Sequence, residues 1–296
     1  MTLDQLRIFV AVAERLHVTQ GARALNLAQS AASHAIAALE TRHGTKLFAR
    51  AGRGIALTEA GAVFLEEARA VLARVEAAEL ALSGFGGLKR GTLRVQASHT
   101  IASRWLPRHL VVFNRAYPGV RIRLTIGNTA QVAQAVENGT AEIGFVEGAT
   151  ETGELACEPV ARDQLIVVVG PEHPWAEGGK LGAGDLAEAE WVLREPGSGT
   201  RSAFEEALAG HGIAASKLNV RLELPSNEAV RAAVEAGLGA TAISASVAAP
   251  SLEAGLLFQA GFSLPERYFY ALRQKGRYRA RTTEALMELI SRPPAG

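Results

Sequence analysis

The chain has 296 residues, of which 48% are hydrophobic and 21% charged, with a formal net charge of +1. This is an ordinary soluble composition, and the length suits one large domain or two to three ordinary ones. No run reaches the roughly 18–20 apolar residues of a membrane span, and the N-terminal segment carries Asp4 in an amphipathic pattern that a secretory signal lacks. The single Cys157 excludes an internal disulfide and a thiolate metal site, and it fits a reducing, cytoplasmic location.

The charge is unevenly distributed along the chain. Residues 1–58 contain seven basic and three acidic side chains, a net charge of +4, so the remaining 238 residues carry −3. A basic head on a slightly acidic body predicts that a polyanion binds the head.

The head begins with three predicted helices. Apolar residues at helical spacing indicate the first, over residues 3–13. The stretch VTQGARALNLAQSAASHAIAALE then predicts a supporting helix at 19–25, a turn at 26–28 and a recognition helix at 29–42. We expect the inward face of this pair to contain Ala22, Leu25, Leu27, Ala32, Ile36 and Leu39, and the outward face to contain Gln29, Ser30, Ser33, His34 and Ala37.

The outward face is small and polar. Side chains that can bond base edges, separated by small ones that let a helix enter a groove about 12 Å wide, are typical of major-groove recognition. The alternative is the solvated face of any alanine-rich helical bundle. The tight helix spacing, the basic head and the element that follows together favour DNA binding.

That next element is a predicted basic hairpin, or wing, in which the strand-like runs KLFAR and GIALT flank residues 51–54. Arg50 and Arg53 would each be an ordinary solvated charge alone, but together on a glycine hairpin they favour contacts with phosphates or the minor groove. Thr58 is the predicted N-cap of a long helix that continues to about Leu82. An apolar seam on that helix predicts the pairing of two chains, through Leu65, Ala68, Leu72, Val75 and Leu82.

Beyond a predicted hinge at residues 83–91, strands alternate with helices. The strand-like runs are TLRVQAS, VRIRLTI, AEIGFV, QLIVVVG, NVRLEL, GATAIS and RYFYALR, and helical runs cover 129–137, 201–209 and 227–236. This alternation predicts crossover units, parallel sheets and two α/β lobes with a cleft between them.

Four stretches place Ser, Thr or Asn where a predicted strand ends and a helix begins: ASHTIAS, GNTAQV, EPGSGTRSAF and LPSNEAV. Free backbone N–H groups and the helix dipole attract an anion at such an end. One serine there is usually only an N-cap. Four such ends lining one cleft would form an anion-binding pocket without a buried lysine.

Residues 9–61, with ALNLAQSAASHAIAALE, LFAR and LTEAG, resemble the N-terminal domain of LysR-type transcriptional regulators, and the resemblance continues to the end of the chain. It implies a mainly α winged helix–turn–helix at 1–58, a dimerising linker helix and hinge at 59–90, and an α/β effector-binding domain of the periplasmic-binding-protein type at 91–296. Lobe I would comprise about 91–161 and 267–296, and lobe II about 162–266. Assembly as a homodimer or homotetramer is implied as well.

The resemblance also assigns site residues. Contacts with double-stranded DNA are implied at Gln29, Ser30, Ala31, Ser33, His34, Arg50 and Arg53. Together with the four helix starts, it favours a small-molecule effector pocket formed by Ser98, His99, Thr100, Asn128, Glu147, Ser198, Thr200 and Ser226. Arg201 is interpreted as an exposed first-turn arginine. EPGSGTR and GNTAQV resemble the branch that includes regulators of carbon fixation and of sulphur assimilation, whose effectors are small anions or phosphorylated metabolites.

The sequence departs from the family pattern before and within the two predicted helices. His17 stands where the family usually has Ser, and Gly21 stands where it has an alanine. Ala28 lacks the side-chain oxygen of a helix cap, at a cost of about 1 kcal/mol relative to Ser. We expect these differences to affect stability and DNA contacts, and to leave the fold unchanged.

Catalytic motifs do not emerge from the sequence. PGSGT lacks the G-x-S-x-G spacing of a nucleophile elbow, no G-x-x-x-x-G-K-[ST] occurs, and the seven histidines form no H-E-x-x-H set. We therefore expect no enzyme, no cofactor, no metal site and no membrane partner. A solute-binding protein or an enzyme on a two-lobed scaffold is the alternative; the basic head argues against the first, and turnover of a metabolite would reveal the second.

Overall fold

The computed structural model describes residues 1–51, 54–83, 91–148, 153–276 and 280–291. The chain divides into two compact units, residues 1–85 and 86–296. The first unit contains the basic head at residues 1–58 together with the long helix that follows it. From here on, the head and the body are these two units. Each unit has its own hydrophobic core.

The head contains four helices and a two-stranded hairpin among its described residues. In chain order these are α1 Leu3–Ala13, α2 Val18–Ala24, α3 Gln29–His43, β1 Phe48–Ala51, β2 Gly54–Leu57 and α4 Glu59–Ser83. The two strands are antiparallel, with Phe48 opposite Leu57. Thr58 caps α4 as predicted, because its Oγ1 accepts a hydrogen bond from the N–H of Gly61 at 3.0 Å.

The head core is centred on Phe9, which is fully buried. The centroid of its ring lies 5.5 Å from that of Phe48 and 4.9 Å from that of Phe64, so β1 and α4 both pack against α1. A close approach of α2 to α1 depends on Gly21, because a Cβ at that position would lie 2.5 Å from Cγ2 of Val12. The glycine that departs from the family pattern therefore sits at a tight helix contact.

The predicted dimer seam of α4 is wrong at its first positions. Leu65 and Ala68 are 9% and 1% exposed and belong to the core of the head, against which Leu72 also packs. These side chains are therefore buried within a single chain and do not require a dimer partner. Among the side chains of α4 that the structure describes, the large apolar residues that are exposed are instead Val63 and Val71, at 65% and 39%. The side chain of Leu82, the last position of the predicted seam, lies outside the described residues.

The body contains one mixed sheet of eight strands, in the order β4-β3-β5-β10-β6-β9-β7-β8. The strands are β3 Gly91–Ser98, β4 Val120–Gly127, β5 Ile143–Glu147, β6 Leu155–Val169, β7 Glu190–Arg194, β8 Asn219–Leu224, β9 Ala240–Ser244 and β10 Phe258–Gln274. β4-β3-β5 are parallel and form lobe I, while β9-β7-β8 are parallel and form lobe II.

The two central strands, β6 and β10, run through both lobes and pair antiparallel to each other. The prediction of parallel sheets is therefore wrong at these strands and correct inside each lobe. The sequence predicts only about half of each long strand, through the runs QLIVVVG and RYFYALR. β7 is absent from the predicted strand-like runs, although the sequence predicts the end of a strand before EPGSGTRSAF.

Helices cover the sheet and supply the cores. They are α5 Leu106–Ala116, α6 Thr129–Glu137, α7 Ala183–Glu188, α8 Gly199–Gly210, α9 Asn227–Glu235, α10 Ala245–Glu253 and α11 Arg281–Ser291. A π-helical turn, Ile101–Trp105, leads into α5. Phe113 and Phe145 are fully buried in lobe I, and Trp191 and Phe204 are fully buried in lobe II. Full burial of such a side chain contributes about 1.5–3 kcal/mol.

Candidate functional site

The exposed surface of α3 is the candidate nucleic-acid interface of the head. Its residues are small or polar, and Ser33 is half-buried while the others are exposed: Gln29, Ser30, Ala31, His34 and Ala37. Nε2 of Gln29 donates to Oγ of Ser33 at 3.0 Å, one helical turn away. This pair presents an amide and a hydroxyl side by side, which is the hydrogen-bonding chemistry that reads base edges.

The start of α3 lacks a side-chain cap. Ala28 has the extended conformation of an N-cap residue and makes no side-chain cap bond, as its sequence predicts. The first N–H groups of α3 therefore remain for water or an external acceptor. At the other end, Gly44 has a φ of 63°, a left-handed conformation that ends the helix readily at glycine.

α2 keeps a cap in spite of its unusual residue. Nδ1 of His17 accepts a hydrogen bond from the N–H of Gln20 at 3.4 Å, so His17 takes the role that Ser has in the family pattern. The predicted inward face is confirmed at Ala22, Ala32 and Leu39, which are 1%, 0% and 2% exposed. Leu27 is 38% exposed, so its predicted burial is wrong.

The exposure of Leu27 follows from the turn before it. Asn26 has a φ of 56°, which reverses the chain between α2 and α3 and directs the next residue outward. The helical spacing of the apolar residues does not predict such a reversal, because it places Leu27 on the same face as the apolar residues of α2 and α3.

The wing is fixed to α3 by Glu40, which is not among the site residues that the sequence predicts. Its carboxylate accepts from Nζ of Lys46 at 2.7 Å, from the N–H of Leu47 at 2.9 Å and from the N–H of Phe48 at 3.3 Å. Burial raises the pKa of Glu40, but these hydrogen bonds outweigh burial and leave the pKa below its ordinary value. The carboxylate thus holds the first strand of the wing against the recognition helix.

The basic residues of the wing include Arg50, which is exposed on β1. Arg50 lines a surface groove of about 450 Å³ together with His17 and Thr19 at the start of α2 and with Gly54 and Ile55 of β2. Arg53 lies outside the described residues. The geometry thus places a guanidinium and the start of α2 along one open groove of the head.

The second candidate site lies in the body, at the four helix starts. Ser98 ends β3, and Asn128, Ser198 and Ser226 are the N-cap residues of α6, α8 and α9. Each follows a strand, as predicted. The side chains of Ser98, Thr100, Ser198 and Thr200 are all buried, with exposures of 0–2%.

Contacts between the lobes bring these helix starts together. Nδ2 of Asn227 at the start of α9 donates to Oγ1 of Thr100 in lobe I at 2.9 Å. Nδ2 of Asn128 donates to Oε1 of Glu195 at 3.2 Å, and the N–H of Ala130 donates to the carbonyl of Gly197 at 3.2 Å. The inter-lobe cleft is therefore closed at two places.

A buried cation in this cleft had not been predicted. Arg194 is 4% exposed; its Nε and Nη2 donate to Glu195 at 2.8 and 3.0 Å, and its Nη1 donates to Oδ1 of Asn227 at 2.7 Å. Burial raises the pKa of Glu195, but the hydrogen bonds and the charge of Arg194 outweigh burial and leave it lowered. In the sequence, the feature that points to this site is the position of Arg194 directly after the apolar run WVL.

A second buried ion pair joins the two long strands. Nε of Arg267 on β10 donates to Oδ2 of Asp163 on β6 at 2.7 Å, and Oδ1 of Asp163 accepts from Oγ of Ser244 at 2.6 Å. Nη1 of Arg267 also lies 3.4 Å from Oγ1 of Thr200 and from the carbonyl of Gly199. Arg267 thus links the strands shared by the lobes to the start of α8.

Glu147 lies at the same place, as the last residue of β5 and 4% exposed. Its Oε2 accepts from Oγ1 of Thr129 at 3.4 Å. Gly199 packs directly on this pair, because a Cβ there would lie 2.5 Å from both the carbonyl of Glu147 and Oγ1 of Thr129. Only glycine allows the start of α8 to approach lobe I so closely.

The remaining residues predicted near this cleft differ in their burial and in their hydrogen-bond partners. The hydroxyl of Ser226 accepts from the N–H of Ala229 at 3.1 Å and caps α9. His99 is half-buried, and its pKa is lowered by burial and then by the charge of Arg194. Arg201 is half-buried and pairs with Glu205 and Glu223, which corrects its predicted exposure.

The part of the chain that the structure describes holds no group of three or more His, Cys, Asp or Glu side chains that could bind a metal ion. None of its helices is long and apolar enough to cross a membrane.

A helix–turn–helix with a basic wing, followed by a two-lobed domain with a polar cleft, defines a DNA-binding regulator with a ligand-binding domain. Residues 3–62 match the family model of bacterial regulatory helix-turn-helix proteins of the lysR family, and residues 86–292 match the LysR substrate binding domain. The chain belongs to the LysR family of DNA-binding transcriptional regulators. This confirms the predicted resemblance and favours the regulator over the enzyme and solute-binding alternatives.

Relatives with similar sequences carry regulator names. The chain is 36% identical over 266 residues to the HTH-type transcriptional regulator YeiE of Escherichia coli (strain K12), covering 90% of this chain and 88% of YeiE. It is 32% identical over 290 residues to CbbR of Rhodospirillum rubrum, covering 97% and 95%. It is 33% identical over 292 residues to the RuBisCO operon transcriptional regulator of Acidithiobacillus ferrooxidans, covering 98% and 93%. These names confirm the carbon-fixation part of the predicted branch.

Solved structures show the same fold. Full-length CbnR complexed with its target DNA has a TM-score of 0.70 at 24% identity, covering 98% of this chain and 99% of CbnR. The regulatory domain of CcmR from Synechocystis PCC6803, in complex with 2-PG, has a TM-score of 0.62 at 26% identity, covering 68% of this chain and 96% of that domain. The predicted architecture is therefore confirmed.

Proposed function

We propose that this regulator acts in the cytoplasm, reads its operator through α3 and the wing, and changes its operator affinity when a small anionic metabolite binds in the inter-lobe cleft. The observation that carries the proposal is that Asn227 donates a hydrogen bond to Thr100 and accepts one from Arg194, which brings the helix starts of both lobes around one buried polar site.

The proposed DNA contacts are those of the exposed face and the wing: Gln29, Ser30, Ala31, Ser33, His34, Arg50 and Arg53. The amide of Gln29 and the hydroxyl of Ser33 are supported as base-reading groups by their adjacent placement on α3. Arg50 is supported as a phosphate contact by its exposure and by its place along an open groove that it shares with the start of α2.

The proposed effector contacts are Ser98, His99, Thr100, Asn128, Glu147, Ser198, Thr200 and Ser226. Helix N-termini supply N–H groups and positive dipole ends, and Arg194 adds a buried cation. An acidic metabolite suits this set. The CcmR domain, 26% identical, was solved with 2-PG, which makes 2-PG a suitable first compound to test.

The proposed assembly is a homodimer or homotetramer. β4 and β8 are the two edge strands of the body sheet, and both expose apolar side chains: Leu124, Ile126, Val220 and Leu222. A two-fold dimer in which each chain sets one edge against the opposite edge of its partner would cover both edges at once. Val63 and Val71 of α4 provide a further apolar surface for pairing in the head.

The proposed function is tested by operator binding with purified full-length protein and the DNA upstream of its own gene. Footprinting locates the site, and titration with salt measures the phosphate contribution. Sulfate, inorganic phosphate and 2-PG are then added at constant ionic strength. The proposal is supported by a footprint whose affinity changes with one of these acids, and it fails if the protein makes no specific footprint.

A further inference from the structure

The side chain of Asn227 joins the two lobes across the cleft. It is 1% exposed; its Nδ2 donates to Thr100 in lobe I at 2.9 Å, and its Oδ1 accepts from Arg194 in lobe II at 2.7 Å. An amide therefore fills the space between a guanidinium and a hydroxyl. Those are two groups that would both donate to an oxygen of an acidic ligand.

Arg194 has capacity beyond its present bonds. A guanidinium has five N–H groups, and the bonds to Glu195 and Asn227 engage three of them. A carboxylate, phosphate or sulfate oxygen accepts from a guanidinium more strongly than a neutral amide oxygen does, and it can do so in a bidentate manner. An oxoanion can therefore replace Oδ1 of Asn227 on Arg194.

Lobe I has two buried hydroxyl groups where β3 ends, on Thr100 and on Ser98. Oγ1 of Thr100 is released when Asn227 leaves it. Two residues earlier, Ser98 is 2% exposed, and its Oγ has no hydrogen-bond partner in the described part of the chain. A buried hydroxyl without a partner is costly, so a ligand oxygen that reached Ser98 would gain more than from a solvated hydroxyl.

Building on the proposed effector function of this cleft, we propose that Asn227 is a built-in occupant of the effector site and that Arg194 selects the effector. The effector carries an oxoanion group, a carboxylate, phosphate or sulfate, and it binds by displacing the Asn227 side chain from Arg194 and Thr100. The displaced amide breaks the direct bond between the lobes, so binding of the acid and the inter-lobe contact are coupled.

Calorimetric titration of the full-length protein with sodium sulfate and with inorganic phosphate, at ionic strength held constant with chloride, tests this proposal. Since Asn227→Ala removes the competitor of the anion, it should bind the better of the two probes about tenfold more tightly than the wild type. Arg194→Gln should lose binding, and Arg194→Gln combined with Asn227→Ala should also lose it. Asn219→Ala and Arg162→Gln change an exposed asparagine and an arginine with a 72% exposed side chain and serve as matched controls.

A gain of affinity cannot result from misfolding, so Asn227→Ala keeps the test decisive even if Arg194→Gln is unstable. Arg194→Lys provides a second variant that keeps the charge and loses the bidentate geometry, and it should bind more weakly than the wild type. Three results would overturn the proposal. The first is unchanged or weaker binding by Asn227→Ala, and the second is a gain of affinity that survives the loss of Arg194. The third is that no variant binds either probe. Failure of the proposed function shows separately, as absence of a specific operator footprint in the same preparations.

Discussion

Arg267 and Asp163 form a buried ion pair between the two strands that pass through both lobes, with Nη2 of Arg267 2.7 Å from Oδ2 of Asp163. Their side chains are 7% and 5% exposed. The pair thus lies on the only two strands of the described sheet that both lobes share. Removing one partner leaves the other charge buried without compensation.

We therefore expect Arg267→Met to lower the free energy of unfolding by about 3–5 kcal/mol. Chemical denaturation of the full-length protein, followed by circular dichroism, measures the change. Arg162→Met changes the residue next to Asp163 on β6, opposite Tyr268. The side chain of Arg162 is 72% exposed, and this variant should stay within about 0.5 kcal/mol of the wild type. A loss below 1 kcal/mol in Arg267→Met would show that the pair contributes no more than an exposed one.

Gln29 is expected to determine base preference. Gln29→Ala removes an amide from the exposed face of α3 and should reduce discrimination between the operator and a substituted operator by about 1–3 kcal/mol. Fluorescence anisotropy with both DNA duplexes measures this difference. Equal discrimination by the variant and the wild type would contradict the assignment of Gln29 as a base contact.

Arg50 is expected to contribute affinity without sequence preference. Arg50→Ala should weaken binding to all duplexes alike and reduce the slope of log affinity against log salt by about one unit, because one phosphate contact is lost. The matched control is Arg7→Ala, an arginine of the head with a 47% exposed side chain that pairs with Asp4 on α1. If both variants changed the salt dependence equally, the effect would belong to the net charge of the head and not to the wing.

His99 is expected to make effector binding depend on pH. Its pKa is lowered by burial and by Arg194, while Glu195, Glu228 and Glu147 act in the opposite direction. Because the pKa of His99 is lowered in the folded protein, the folded protein binds fewer protons than the unfolded chain once the pH falls to the ordinary value of about 6.5. The free energy of unfolding therefore decreases as the pH falls through that value. An anion bound beside His99 raises its pKa, so binding takes up a proton.

The affinity for an acidic probe should consequently rise as pH falls from about 8 to about 6. Calorimetry with sulfate over that range, in buffers of different ionisation enthalpy, measures both the affinity and the proton uptake. His99→Asn should flatten the profile, since asparagine does not titrate in this range. A profile that keeps its slope in His99→Asn would assign the titration to another group.

The two apolar surfaces of α4 should respond differently to substitution. Val71→Glu charges an exposed position and should weaken dimers while leaving the head folded, as sedimentation and circular dichroism would show. Leu65→Ala removes buried side-chain atoms from the head core and should lower stability by about 2–5 kcal/mol. Dimers that persist in Val71→Glu would place the interface on the edges of the body sheet.

Much of the fold was predictable because the relevant signals are local. The period of the apolar residues located α1 and α3, turn residues located the wing, and small polar residues marked the start of α6, α8 and α9. α6 was predicted with the boundaries that the structure gives, since Asn128 forms a capping box with Gln131. Local hydrogen bonding of this kind is directly visible in the sequence.

The errors have a common physical origin, which is tertiary contact. Leu65 and Ala68 form a seam in the sequence of α4, but the core around Phe9 uses them. The mixed direction of β6 and β10 depends on strand pairing over about 100 residues. Arg194 and Asn227 become site residues only because strands distant in the sequence end at one place, and Asp163 meets Arg267 only because β6 pairs with β10.

Operator affinity with and without bound acid tests the central claim most directly. The measurement is fluorescence anisotropy of the operator duplex with full-length wild type and with Ser198→Ala, using whichever of sulfate, phosphate and 2-PG binds most tightly by calorimetry. Because an effector shifts binding only through its differential affinity for two states, the wild type should change its operator affinity by about 5- to 150-fold, and Ser198→Ala should lose most of that change. An operator affinity that does not respond to the bound acid, or an equal response in both proteins, would contradict the proposed coupling between the cleft and DNA.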